Sequence, residues 1–313
     1  VQTVDVQMLM TSGLPKLTIV GLPERAVGES KERMRGALAS LGLIQPPAHV
    51  SINLAPADLA KEGTHFDLPI VLGLLVEMEA LPPDCLNGLL AMGELGLDRS
   101  ISPFVGALPA AIHANWLGLR LICPQAQGQE AAWAGPGLDI IAPKSLLALM
   151  NHLMGRQQIP RPKVRSTDPA QQPPALDLRD IKGQETAKRA LEITAAGGHN
   201  LLLIGPPGAG KSMLAARLAG LLPPMTAKEA LSVTMVHSLA GTLAEDGLVS
   251  SRPYRDPHHS ASLPAPVGGG TKAKPGEVTL AHLGVLFLDE LPEFDRRKLE
   301  ALRQPIETGA VTV

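Results

Sequence analysis

Aromatic side chains are scarce in this chain of 313 residues: Phe66, Phe104, Trp116, Trp133, Tyr254, Phe287 and Phe294 make up 2% of it. Rings so few and so scattered argue against a platform on which nucleic-acid bases stack. Cysteine is scarcer still. Cys85 and Cys123 form no C-x-x-C pair, so neither a disulfide framework nor a structural zinc site is indicated, and both read as core thiols. The net charge of −2 gives no global basic field, so any contact with nucleic acid must be local. No uninterrupted apolar run is long enough to span a bilayer, and no charged-then-apolar signal region opens the chain, which points to no membrane partner and a cytoplasmic protein. The chain opens on Val1 inside a strand-like run, so a fragment at both ends is expected.

What is present describes an ordinary globular protein, 45% hydrophobic and 19% charged, with a length that suggests two domains. Pro160, Pro162, Pro169, Pro173 and Pro174 punctuate a stretch with no apolar period, read as an extended linker over 159–176 between domains at 1–158 and 177–313. Arg156, Arg161, Lys163 and Arg165 give it a basic beginning that could touch phosphate, a solvated linker being the plainer reading. In the first domain, strand-like runs at 1–10, 17–20, 49–54, 119–123 and 138–141 alternate with helix-like stretches at 23–41, 68–81, 107–116 and 144–154, which predicts an α/β or α+β domain. Runs at 89–97 and 100–105 flank Asp98 and Arg99 as a hairpin, so a mixed sheet is expected. In the second domain, a helix is predicted over 184–196 and short buried strands over 201–204 and 285–288.

The most informative stretch is Gly205, Pro206, Pro207, Gly208, Ala209, Gly210, Lys211 and Ser212. It follows the apolar run 201–204 and opens a helix at Met213, the strand, loop and helix context of a P-loop. Glycines let successive backbone N–H groups turn toward phosphates, Lys211 adds positive charge at the β/γ end, and Ser212 offers a hydroxyl to Mg²⁺. The partner signal is Asp289-Glu290 at the end of the second apolar strand. Asp289 would hold Mg²⁺ through its water shell, and Glu290 would orient and deprotonate the attacking water. ATP and Mg²⁺ are therefore the expected ligands.

The stretch 180–184, the run 195–200 into the P-loop, and residues 284–294 closely resemble the ComM/YifB family, bacterial AAA+ proteins similar to the ATPase subunit of magnesium chelatase. Residues 252–262, 267–270 and 274–277 extend the match. The resemblance implies a ring-forming, hexameric ATPase that couples hydrolysis to movement on DNA, extending branch migration during natural transformation. Residues 275–291 are also similar to minichromosome-maintenance helicases, which favours a DNA motor over a remodelling ATPase for metal insertion. By the same resemblance Ile181 and Gly183 lie beside the adenine. Arg252, Arg255, His258 and His259 invite contact with DNA or a neighbouring subunit, with a hydrogen-bonded loop as the alternative. Adjacent histidines on an extended chain point to opposite faces, which argues against a metal site. Gly268, Gly269 and Gly270 followed by Lys272 and Lys274 suit either a loop presenting cations to a DNA backbone or a solvated loop.

Residues 51–154 look like the magnesium-chelatase-associated domain with the fold of Lon-type protease domains, also seen in the recombination protein RadA. The chain departs from a protease at the two places that matter. Residues 61–67 carry His65 near the expected serine, and residues 103–109 carry no lysine, so no acyl-enzyme can form. A non-proteolytic module for DNA binding or ring assembly is the reading. Lys61, His65 and Asp67 are either a remnant polar site or a turn with Asp67 as helix N-cap, and Thr64 has no evident activating base. The second domain stops before the sensor strand, arginine finger and lid that the resemblance describes. Weak hydrolysis by these residues alone is expected, because the cations that offset charge in phosphoryl transfer are missing.

Overall fold

Val50, Ile52 and Leu54 alternate along one face of the strand β3 (Ala48–Ala55), and all three are buried. In a strand, alternate residues share a face, so this pattern faces the strand onto a core. The computed structural model describes residues 1–44, 47–59, 61, 63–164, 176–243, 247–260, 268–269 and 274–308. The chain divides into two compact units, Val1–Arg165 and Ser166–Val313.

In the first unit, β3 lies between β1 (Asp5–Ser12), to which it is antiparallel, and β2 (Lys16–Val20), to which it is parallel. Helix α1 (Glu24–Ser40) contributes Met34, Ala37 and Leu38 to the core. Helix α2 (Asp67–Glu77) buries Leu68, Ile70, Val71, Leu72, Leu74 and Leu75, and a helix apolar on nearly every side belongs in an interior. Helix α2 packs on β1 at Gly73, where the Met8 side chain lies against the helix. A second, parallel sheet has the order β4 (Leu89–Ala91), β7 (Arg120–Ile122), β8 (Ile140–Ile141). Helices α3 (Ala107–Leu117), α4 (Gly128–Ala132) and α5 (Leu146–Leu153) complete the unit.

The expected hairpin around Asp98 and Arg99 forms between β5 (Glu94–Leu95) and β6 (Ile101–Ser102), with Arg99 in the left-handed region at φ 66. It stands as its own two-stranded sheet, and the mixed sheet is β1-β3-β2. Beyond α5, Ile159 N–H donates to His152 Nδ1 (3.0 Å) and Arg161 donates to the carbonyls of Pro136 and Leu138. These bonds hold the start of the proline-rich stretch, Arg161 included, to the first unit. Residues 165–175, with Arg165, lie outside the described residues.

The second unit contains α6 (Glu185–Gly197), α7 (Lys211–Leu221) and α8 (Ala227–Ala240). Ile181, Leu191 and Leu214 form the core that joins α6 to α7. Strand β12 (Val285–Leu286) pairs in parallel with β9 (Tyr254–Arg255), and β10 (Gly268–Gly269) with β11 (Lys274–Pro275) in antiparallel fashion. A final helix covers Arg296–Thr308.

The buried strand expected at 201–204 is not found. The run has no ladder partner among the described residues, and Leu202 and Ile204 are 66% and 88% exposed. A strand exists through its pairing, and β12 pairs with β9 instead. A cavity of about 800 Å³ lies between the two apolar runs, lined by Leu202, Ile204, Val285 and Phe287 among others. The strand expected over 285–288 is shorter, ending at Leu286, and the residues after it are half-buried. Among the described residues, no helix is long and apolar enough to cross a membrane.

Candidate functional site

Helix α7 begins at Lys211 on a loop that turns at Gly208 (φ 76) and Gly210 (φ 83). Both glycines take the left-handed conformation that side chains disfavour, and a Cβ at Gly208 would meet nothing within 4 Å. Gly210 is the N-cap and offers no side-chain acceptor, so the first N–H groups of α7 are left to a ligand or to water. Lys211 Nζ donates to the carbonyls of Gly205 (2.9 Å) and Pro206 (3.1 Å), folding its charge back over the loop. Met213 is exposed, and its carbonyl accepts from Arg217 Nη1 at 2.9 Å.

Ser212 Oγ donates a 2.8 Å hydrogen bond to Asp289 Oδ2. This contact joins the helix start to the end of the β12 run, so a hydroxyl and a carboxylate converge beside the loop. Glu290 takes the left-handed region at φ 52, and its N–H is held by Asp289 Oδ1 at 2.9 Å. His259 Nδ1 lies 3.7 Å from Glu290 Oε2. The His259 carbonyl accepts from Lys298 Nζ (2.7 Å), and the His258 ring lies against it with centroids 4.1 Å apart. Burial and then the Asp289 charge hold the Asp256 carboxyl above its usual range, and burial with Asp256 and Asp289 pushes the Tyr254 phenol up to about 12.

Ile181 is buried against α7 in the shared core, and Gln184 Nε2 donates to the Ala209 carbonyl at 3.2 Å, bringing the Ile181–Gln184 turn to the loop. Gly183 sits in that turn at φ 67 with open space beside it. Arg217, which sequence reasoning missed, ties the same region together by donating to the Asp177 carbonyl at 2.8 Å, 3.6 Å from the Asp180 carboxylate. Its signal was a lone cation on the buried side of α7.

Arg252 and Arg255 are committed within the chain. Arg252 donates to the carbonyls of Pro223 (2.6 Å) and Leu283 (2.8 Å), and Arg255 makes a two-pronged bond to Glu277 at 2.6 and 2.8 Å. These favour the hydrogen-bonded loop over DNA contact for both arginines. His258 Nδ1 pairs with Ser260. Residues 261–267 and 270–273, with Gly270 and Lys272, lie outside the described residues. Among the described residues, no group of three or more His, Cys, Asp or Glu side chains could hold a metal ion.

In the first unit, Asp67 is not an N-cap. It is the first helical residue, and its carboxylate accepts from Ser30 Oγ (2.6 Å) and Arg33 Nε (2.6 Å), binding α1 to α2. Lys61 is buried and donates to the carbonyls of Pro56 and Leu59, while Glu62 lies outside the described residues. Thr64 has a partner that the sequence did not reveal, since its hydroxyl donates to Glu94 Oε2 at 2.5 Å. His65 packs on Phe66 with ring centroids 4.2 Å apart, and burial lowers its basicity.

Comparison with known families matches residues 177–313 to the magnesium chelatase subunit ChlI model and residues 6–127 to a second ChlI model. The chain is 46% identical over 308 residues to the uncharacterized protein YifB of Escherichia coli, covering 98% of this chain and 60% of that protein. It is 44% identical over 313 residues to the competence protein ComM of Haemophilus influenzae, covering 99% of this chain and 61% of that protein. An uncharacterized protein of Mycobacterium tuberculosis is 41% identical over 313 residues, covering 99% of this chain and 62% of that protein. The chain thus spans about 60% of the length of the curated relatives it matches.

Proposed function

The chain belongs to the ComM/YifB family of magnesium-chelatase-like proteins, and on that premise we propose that it is an AAA+ motor in which ATP hydrolysis drives movement on DNA. The observation that carries the ATPase part is the Ser212–Asp289 contact at the start of α7. The residues fit the ligand. Two left-handed glycines and an uncapped helix start make a cradle for phosphates, and a hydroxyl beside a carboxylate is a hard-oxygen pair of the kind Mg²⁺ takes while keeping several waters.

Lys211 would exchange two loop carbonyls for phosphate oxygens, Ser212 and Asp289 would hold the cation, and Ile181 and Gly183 would border the base. Glu290, held near His259, would orient a water and accept its proton. Bound Mg-ATP would supply the phosphoryl group to be transferred and the cation that offsets its charge.

The DNA part rests on the relative named a competence protein. A homo-oligomeric, hexameric ring in the cytoplasm, and a first unit with a Lon-protease-like fold that lacks proteolytic residues, belong to the same reading. The chelatase name of both matching models supports a second reading, a remodelling ATPase for metal insertion. ATPase assays of full-length protein with forked DNA and with a porphyrin-bearing partner separate the two. Stimulation by DNA alone supports the motor, and stimulation by the porphyrin partner alone overturns it.

A further inference from the structure

The cations of α1 are not all answered by carboxylates. Arg25 pairs with Glu29 at 3.1 Å, Arg33 with Asp67 at 2.6 Å, and Arg35 with Glu32 at 3.0 Å. Lys31 has no ion-pair partner among the described residues, although it is half-buried. Across from it, exposed Lys16 at the start of β2 has none either. These two lysines and Arg35 frame one depression of about 320 Å³ walled by Pro15 and Leu17.

An ammonium with no carboxylate beside it keeps its charge available to an incoming anion. The Arg35–Glu32 pair is exposed on both sides, so it holds Arg35 weakly and leaves its guanidinium able to turn to a better acceptor. Three cations against one carboxylate make a local positive site on a chain whose net charge is −2. The wall carries no aromatic ring on which a base could stack, so of the parts of a nucleic acid it is the backbone phosphate that fits this chemistry.

We infer that Lys16, Lys31 and Arg35 form a sequence-independent contact for the DNA phosphate backbone on the first unit. The inference rests on the motor reading and gives the first unit a part in it. Phosphate contacts by lysine and arginine position a protein on DNA and make its affinity depend on salt.

The test is forked-DNA binding by full-length protein over a range of salt concentrations, comparing wild type with Lys16→Gln/Lys31→Gln/Arg35→Gln. Loss of three phosphate contacts lowers affinity about tenfold or more at physiological salt and makes the slope of log affinity against log salt shallower by about 2 to 3. ATP affinity and melting temperature stay at wild-type values. If the triple variant fails to fold, Lys16→Gln alone is read for a slope change of about 1. DNA binding by the variant with wild-type affinity and slope overturns the inference and leaves the motor reading standing. Absence of DNA binding by wild type overturns the motor reading, and this inference with it.

Discussion

Ser212 and Asp289 are 77 residues apart in the chain and 2.8 Å apart in space. The hydroxyl at the start of α7 and the carboxylate after β12 thereby meet at the place where the proposed Mg²⁺ would be held. Ser212→Ala and Asp289→Asn should each raise the Mg²⁺ concentration needed for half-maximal ATPase about 10- to 100-fold. ATP binding without Mg²⁺ should change little, as followed by titration with a fluorescent analogue. Mg²⁺ dependence equal to wild type in both variants would count against this site.

His259 lies 3.7 Å from the Glu290 carboxylate, so under the proposed mechanism its role would be positioning. His259→Ala should reduce kcat about 10- to 100-fold, the cost of a misplaced base, while nucleotide Kd and melting temperature remain unchanged. His259→Gln, whose amide keeps a polar group near the carboxylate, should recover part of the loss. Equal loss of nucleotide affinity in both would instead mark His259 as a structural residue.

The Asp67 carboxylate is buried between Arg33 and Ser30. Removing it strands a cation at the α1–α2 contact, so Asp67→Ala should cost about 3–5 kcal/mol in urea unfolding of the first unit. Removing both partners in Asp67→Leu/Arg33→Leu should cost less than the single change. A loss below 1 kcal/mol in Asp67→Ala would refute this weight for the pair.

Burial holds the His65 imidazole below its ordinary value of 6.5, against a smaller opposing effect of Asp67. The unfolded chain then binds a proton at a pH where the folded one does not. The contribution of His65 to stability is full above about pH 6.5 and falls as pH drops below it, until the folded imidazole also protonates. Chemical denaturation of wild type and His65→Gln between pH 5 and 8 should show a flatter profile in the variant. Parallel profiles would contradict the assignment.

The sequence disclosed what is local. Most helices and strands of the first unit lie within a few residues of their apolar periods, and the glycines of 205–210 were legible because φ is a property of single residues. Helix α8 was missed although Thr226 and Glu229 form a reciprocal capping box, a signal readable as T-x-x-E. Pairings between distant segments were not legible. Residues 201–204 have the composition of a strand without its partners, β9 is made a strand only by β12, and the bonds of Thr64 to Glu94 and Asp67 to Arg33 span 30 and 34 residues. The internal commitments of Arg252 and Arg255 were hidden for the same reason.

The most direct measurement is equilibrium binding of Mg-ATP together with single-turnover hydrolysis for full-length wild type, Lys211→Ala and Glu290→Gln. The expected result is loss of binding in Lys211→Ala, and in Glu290→Gln a wild-type Kd with hydrolysis slowed about 100-fold or more, the contribution of a general base. Wild-type affinity in Lys211→Ala, or hydrolysis at the wild-type rate in Glu290→Gln, would contradict the assignment of residues 205–212 and 289–290 as the nucleotide site.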